Sequence, residues 1–308
     1  MRGAQRWCSS LPRSLVAFAG DYAILVVAVA FGSWSLRSAL LSRAPEAWLL
    51  AFAINGAAQI AIARAQRGLE NLIHEGSHYN VTRHKRLNDF VVTALAAMPM
   101  GVSLAVFRML HAIHHAQLGE PADGDRARNR RYRMDTLNRS SAATFFGQVA
   151  RNLPRYTASW LREMGADRRI VLTSLAWHTT VVVTVALVFG VSPARAASGW
   201  LLYWAVPFAC VLPVLRFIAE AAEHDYEGAV TVGQATISNV GWIHRWLIHP
   251  HGDGFHGVHH IFAAVPHHAL RSTHEQLLVA DPAGYGVYLR ARTKVLQAAP
   301  RMNARWNA

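Results

Sequence analysis

Four stretches of the chain are apolar almost without interruption: LVAFAGDYAILVVAVAFGSWSL at 15–36, AWLLAFAINGAAQIAIA at 47–63, IVLTSLAWHTTVVVTVALVFGV at 170–191 and GWLLYWAVPFACVLPVLRFIA at 199–219. Each comes close to the roughly 20 apolar residues that carry a helix across a bilayer. The pattern predicts four transmembrane helices arranged as two hairpins. A short basic segment precedes the first span, which is too long for a signal-peptide core and has no convincing cleavage site, so it reads as part of the mature protein. A fifth apolar stretch, FVVTALAAMPMGVSLAVF at 90–107, carries Pro99 and Gly101 at its centre, where both weaken a helix. That stretch is expected to be a re-entrant or interfacial hairpin that does not cross.

Between the spans lie a polar block from Arg64 to Arg169 and a second from about Glu220 onward. Within the first block, GEPADGDRARNRRYRMD at 119–135 is rich in helix breakers and reads as a surface loop. No repeat or low-complexity linker divides the chain, so residues 1–308 are expected to form one all-α integral membrane domain with a cytoplasmic histidine-rich helical cap.

The formal net charge of +13 raises nucleic acid as a partner, and RARNRRYR at 126–133 resembles a polyanion patch in isolation. Topology accounts for the charge better, because cytoplasmic loops of membrane proteins collect Lys and Arg. With both termini and both polar blocks inside, only Arg37, Arg43 and Arg195 remain in the two short outer loops. The expectation is a membrane partner and no nucleic acid. Cys8 and Cys210 are too few and too distant for a disulfide framework or an iron–sulfur cluster, so any electrons come from elsewhere. Asp21 within the first apolar stretch is unusual, since a carboxylate at the centre of a bilayer costs roughly 2.5–3.5 kcal/mol.

The histidines fall almost wholly in the two polar blocks. In NLIHEGSHYN, His74 and His78 stand four apart just past the second span and share one face of a continuing helix. In RMLHAIHHAQ, His111, His114 and His115 have offsets of three and four, and FHGVHHIF repeats them at His256, His259 and His260. RFIAEAAEHDYEG ends the fourth span with His224, one turn after Glu220 on the same face. Imidazole is the commonest nitrogen ligand for zinc, iron and copper, and histidines at i and i+4 can grip one ion without backbone strain. One such pair says little. Three clusters provide too many imidazoles for one tetrahedral ion, and two metals are the economical inference. For the clusters to meet, residues 90–107 must return to the side on which they started.

This order of HxxxH, HxxHH and HxxHH resembles the membrane fatty acid desaturase and hydroxylase superfamily, with the similarity running from about Ala47 to His274. The segment SNVGWIHRWLIHPHGDGFHGVHHIFAAVPHHAL is similar to the bacterial pattern around the third box. The resemblance implies a di-iron centre that uses dioxygen to attack an aliphatic C–H bond of a lipid or lipid-like substrate, by desaturation or hydroxylation. It implies as metal ligands His74, His78, His111, His114, His115, His256, His259 and His260, with His224 matching a ninth histidine at the end of the fourth span. Relatives place an Asn one turn before that histidine; Glu220 stands here instead, as a ligand or as a group holding one.

Glu75, Glu223 and Asp225 are candidates for orienting imidazoles. His251, with His249, flanks Pro250 in a turn ahead of the third box and is a candidate for the same work, whereas His267 and His268 are expected at the surface or interface. Trp177, Tyr203 and Trp204 could line a lipid path, although aromatics on spans more often serve packing. A separate donor of the ferredoxin, rubredoxin or cytochrome b5 type would supply electrons, docking on the basic face at Arg126, Arg128, Arg130 and Arg131. The expected location is a bacterial inner membrane with the site on the cytoplasmic side.

Two other readings are open. HEGSH also fits HExxH, the zinc-protease signature, which leaves both HxxHH trios unused. A non-catalytic metal-binding or transport protein would more usually place its ligands near the membrane midplane.

Overall fold

The computed structural model describes residues 8–226 and 232–298; most of the basic N-terminal segment lies outside the described residues. Helix α1 spans Leu11–Ser42 and α2 Pro45–Ser77. Ser10 caps the first through its side chain, Arg43 ends it in the left-handed conformation, and Pro45 starts the second within two residues, which forces a tight hairpin. The bent pair α3, Lys85–Met100, and α4, Leu104–Ala116, follows. Helix α5 is Gly124–Tyr132 and α6 Ala142–Met164. The second long hairpin is α7, Arg168–Phe189, and α8, Pro193–Glu223, turned by Gly190 and capped by Asp167 and Ser192. Two short helices, α9 at His256–Ile261 and α10 at His267–Ala280, complete the cap. The only strands among the described residues are Ser238–Asn239 and Ala291–Arg292, paired in parallel.

Helices α1, α2, α7 and α8 are each long and apolar enough to cross a membrane. The chain is an all-α integral membrane protein. The helices outrun the apolar stretches: α2 continues as one helix from its apolar half to Ser77 and carries His74 beyond the last apolar residues, roughly 20 Å past Ile62 along the axis. Along α8, the π-helical turns at Leu201–Ala205 and Pro207–Val211 adjoin Pro207 and Pro213, whose missing N–H groups break the regular ladder.

The arms α3 and α4 meet at 94°. Gly101 supplies the turn with a φ of 63°, and Ser103 restarts the helix by accepting from the Val106 amide at 3.3 Å. The bend is clamped inside the bundle: His178 on α7 donates from Nε2 to the Pro99 carbonyl at 3.1 Å and accepts from the Trp200 indole at 3.0 Å. One neutral tautomer satisfies both bonds. Of the three aromatics considered for a lipid path, Trp204 packs near Trp177, and Tyr203 donates to Asn55 at 2.8 Å.

One apolar core, including Phe18, Leu69, Leu72, Val92, Met100 and Leu212, locks α1, α2, α3 and α8 together. A second, with Tyr132, Phe145, Tyr156 and Phe217, packs α5 and α6 on α8. Residues 119–135 are thus not simply a surface loop. An Asp123-capped helix forms within them and buries Asn129 and Tyr132. The breakers in that stretch mark the ends of a helix, a pattern that an N-cap Asp ahead of an arginine-rich run could have announced.

Asp21 is 1% exposed, ion-paired with Arg64 of α2 and 2.7 Å from Nε2 of His251. Gly68 makes room for it, because a Cβ there would lie 2.3 Å from an Asp21 oxygen. The carboxylate expected to be costly in the first span is therefore compensated from two directions. Removing one partner of a buried pair leaves the other unpaired, a loss of about 3–5 kcal/mol. Asp21→Ala should lower the thermal midpoint in detergent clearly, and Asp21→Ala with Arg64→Met should recover part of it; equal midpoints for the single variant and the parent would refute the assignment.

Candidate metal centre

The helical offsets place imidazoles from four parts of the chain in two adjoining nests. The first gathers His74, His78, His111, His115 and His259; the second gathers His114, His224, His256 and His260. Neither HxxHH trio serves one nest alone. His111 and His115, four apart on α4, turn to the first while His114 turns to the second, and on α9 His256 and His260 turn to the second while His259 turns to the first. A residue three positions along a helix points about 60° away from one reached by a full turn, so each trio straddles the wall between the nests. His115 and His260 stack across that wall with ring centroids 4.3 Å apart.

In the first nest four Nε2 atoms close a square: His74 to His111 at 2.8 Å, His111 to His115 at 3.0 Å, His115 to His259 at 3.0 Å and His259 to His74 at 2.9 Å. Ligand nitrogens about 2.1 Å from one ion and at right angles would stand about 3.0 Å apart. Hydrogen bonding alone does not explain the square, because each Nε2 has two nitrogen neighbours and a ring nitrogen that donates its N–H along one edge has no lone pair left to accept along the other. The fifth member, His78, has a buried Nε2 with no hydrogen-bond partner among the described residues. In the second nest His256 Nε2 lies 2.9 Å from His224 Nε2 and 3.1 Å from His260 Nε2. Both donor sets fit a cation that takes nitrogen ligands.

Burial and the surrounding imidazoles hold His256, His259 and His260 well below the ordinary imidazole range. The same causes bring His224 down to about 3. These rings are therefore neutral at physiological pH, the form that binds metal.

Two carboxylates fix the tautomers. Asp253 accepts from Nδ1 of His74 at 3.0 Å, and Asp123 accepts from Nδ1 of His114 at 2.9 Å, leaving each Nε2 free to face its nest. His224 donates from Nδ1 to the Ala235 carbonyl at 3.3 Å. Burial alone would raise the Asp253 carboxyl, but the His74 bond and Arg67 outweigh it and hold it below its usual range. Neither carboxylate was anticipated from the sequence. Their signal was proximity to the boxes: Asp253 lies three residues before His256, and Asp123 lies eight residues after His115.

The candidates singled out for that work sit elsewhere. Glu75 accepts from the His267 backbone amide at 2.7 Å, and His251 contacts Asp21. Glu223 lies 3.2 Å from His249 and 3.5 Å from Arg67, while Asp225 pairs with Arg290 at 2.6 Å. Glu220 accepts from the Tyr156 hydroxyl at 2.8 Å and pairs with Arg216 at 3.2 Å. His267, expected at the surface, is buried beside Ser14.

Behind the nests runs a continuous alternation of charge: Asp253, Arg67, Glu70, Arg216, Glu220, Arg128 and Asp125. Asp125 returns to within 3.6 Å of His114, so the alternation begins at one nest and ends at the other.

Sequence comparison decides the lineage. The model of the family described as Fatty acid desaturase matches residues 46–293, a range holding both nests and both orienting carboxylates. The chain belongs to the fatty acid desaturase family. No curated protein matches it significantly. For this desaturase-family chain the HExxH reading of HEGSH loses its base, because Glu75 is turned to the His267 amide and its two histidines join a nest of five.

Groups that orient ligating histidines typically matter 10–100-fold for metal affinity. Asp253→Ala should weaken metal retention in the first nest by about that factor, and Asp123→Ala in the second. Metal content after equilibration with a graded competing chelator checks this; unchanged retention in both variants would show that the carboxylates do not position the rings.

Proposed function

We propose that the protein is a di-iron oxidoreductase that uses dioxygen and electrons from a separate donor to desaturate or hydroxylate an aliphatic position of a lipid or lipid-like substrate. The observation carrying this reading is the pair of all-nitrogen nests sharing the His115–His260 wall at one end of a lipid-embedded bundle. In it, His74, His78, His111, His115 and His259 hold one iron, and His114, His224, His256 and His260 hold the other. Bound iron supplies one-electron redox chemistry and an open position for dioxygen.

The protein's own contribution is preorganisation. Asp253 and Asp123 hold His74 and His114 in one tautomer, Arg67 of the ionic chain holds Asp253 while the Gly119 and Asp125 amides hold Asp123, and burial keeps His224, His256, His259 and His260 neutral. Glu220 serves that chain through Oε1, which Tyr156 and Arg216 engage, and belongs to neither histidine nest. The excess of Lys and Arg in the histidine-bearing blocks favours a cytoplasmic site with both termini inside, in a bacterial inner membrane.

The donor is an acidic ferredoxin, rubredoxin or cytochrome b5 type protein docking at α5 and α6. Arg130 and Arg131 are exposed there, together with Arg155 and Arg162 of α6. Arg128, expected to share the task, is instead engaged with Asp125 at 2.9 Å.

Anaerobically purified protein should hold about two irons per chain. In expressing cells the product should differ from its substrate by loss of two hydrogens or gain of one oxygen. His111→Ala and His259→Ala should each abolish that mass change, whereas His84→Ala, which removes an exposed helix cap, should not. A single zinc with peptidase activity would overturn the reading. Charge reversal at Arg130 and Arg131 should slow donor-supported turnover most at low salt, where surface electrostatics are least screened; an unchanged rate there would remove the docking face.

A further inference from the structure

A helical turn at residues 242–248 links the parallel strand pair to the third histidine box, and its outer side is unusually apolar for a cap. Trp242 is 73% exposed and Trp246 53%, one turn apart, with Ile243 and Arg245 exposed beside them. The inner side is fixed. His244 and Ile248 are buried, Arg64 donates from Nε to the Trp246 carbonyl at 3.0 Å, and Arg67 donates from Nε to the Ile248 carbonyl at 3.2 Å.

Those two arginines set the depth of the turn. Arg64 is the first charged residue after the apolar half of α2, and Pro45 and Arg64 lie roughly 28 Å apart along the helix axis. The hydrocarbon core of a bilayer is about 30 Å thick. Arg64 therefore stands where hydrocarbon gives way to headgroups, and the backbone of Trp246 is bound at that level. At the opposite boundary the spans carry their own exposed tryptophans, Trp34 and Trp48. Tryptophan concentrates at both membrane interfaces because its ring is apolar and its N–H seeks water or headgroup oxygen.

We infer that Trp242, Ile243 and Trp246 form an interfacial anchor seated among the lipid headgroups on the histidine side of the membrane. Lipid is the occupant because the turn packs on α2 and α8 at the level where their lipid-facing surfaces end, so the apolar patch continues the bilayer-facing surface of the bundle. Arg245 beside it suits an anionic headgroup. The anchor acts on the site through its C-terminal end, where Asn71 donates to the Pro250 carbonyl at 2.8 Å and His251 reaches Asp21, six and five residues before His256. Membrane contact thus helps set the register of the third box against α2.

Nitroxide labels at 242 and 246, introduced as single cysteines with Cys8 and Cys210 replaced by serine, test this in the full-length protein reconstituted into bilayers. The ratio of oxygen to aqueous-nickel collision rates should fall between that at Leu187, a lipid-facing position on α7, and that at Arg271, an exposed position on α10. Ratios equal to that at Arg271 would place the turn in water, and protection from both reagents would indicate a protein partner or second copy; either result overturns the anchor. The milder Trp242→Phe and Trp246→Phe variants give an independent reading. Lipids brominated near the headgroup should quench the parent more than the double variant, and identical quenching would reject the proposal.

Discussion

Nine imidazoles stripped of water and brought nitrogen to nitrogen are the constraint on which the rest of the structure depends. In the first nest four Nε2 atoms form a closed square whose edges cannot all be hydrogen bonds, so the arrangement persists only if backbone and neighbours hold it. Helix α2 must continue unbroken beyond the apolar stretch to deliver His74, and α4 must return at 94° to α3 to deliver its trio. Three of the rings are held through their far nitrogens, His224 by the Ala235 carbonyl and His74 and His114 by carboxylates. Asp253 and Asp123 are those carboxylates, and Arg67 holds Asp253 itself in place.

The spans, the non-crossing hairpin and the histidine offsets were legible because each depends on local spacing. Apolar length reports a helix in lipid, Pro99 and Gly101 report a bend, and offsets of three and four report a shared helical side. The division of each trio between two nests was not legible, because it depends on the angle at which α4 and α9 approach each other. The orienting carboxylates escaped for a related reason. Glu75 and Glu223 lie closer in sequence to proposed ligands than Asp123 does, yet helical direction turns Glu75 toward the His267 amide, while a helix cap brings Asp123 back beneath His114. Proximity along a chain predicts contact only within one helical face.

The seven histidines between His249 and His268 show how much work one segment divides among its residues. His256, His259 and His260 enter the nests, His249 lies against Glu223, and His251 binds Asp21 in the first span. His267 packs beside Ser14 of α1, and His268 lies 3.2 Å from Arg13. Three of the seven build the site and the other four fasten it to the bundle. An ionisable residue within the span, costly by itself, becomes the point at which a distant loop is registered.

Charge balance gives the fastening a direction. Behind the nests, the carboxylates of Asp123, Asp125, Asp253, Glu70 and Glu220 outnumber Arg67, Arg128 and Arg216, while burial pushes the Glu223 carboxyl up to about 8. His224, His256, His259 and His260, held neutral, do not offset that excess, while His114, raised by its Asp123 bond against burial, offsets it in part; confined negative charge of this kind is costly in a poorly hydrated interior. Two divalent or trivalent cations at the nests would compensate it at short range. A scaffold that remains acidic would favour a metal-loaded state through field as well as through ligation, and the free energy of loading would then add to the free energy of folding of the cap.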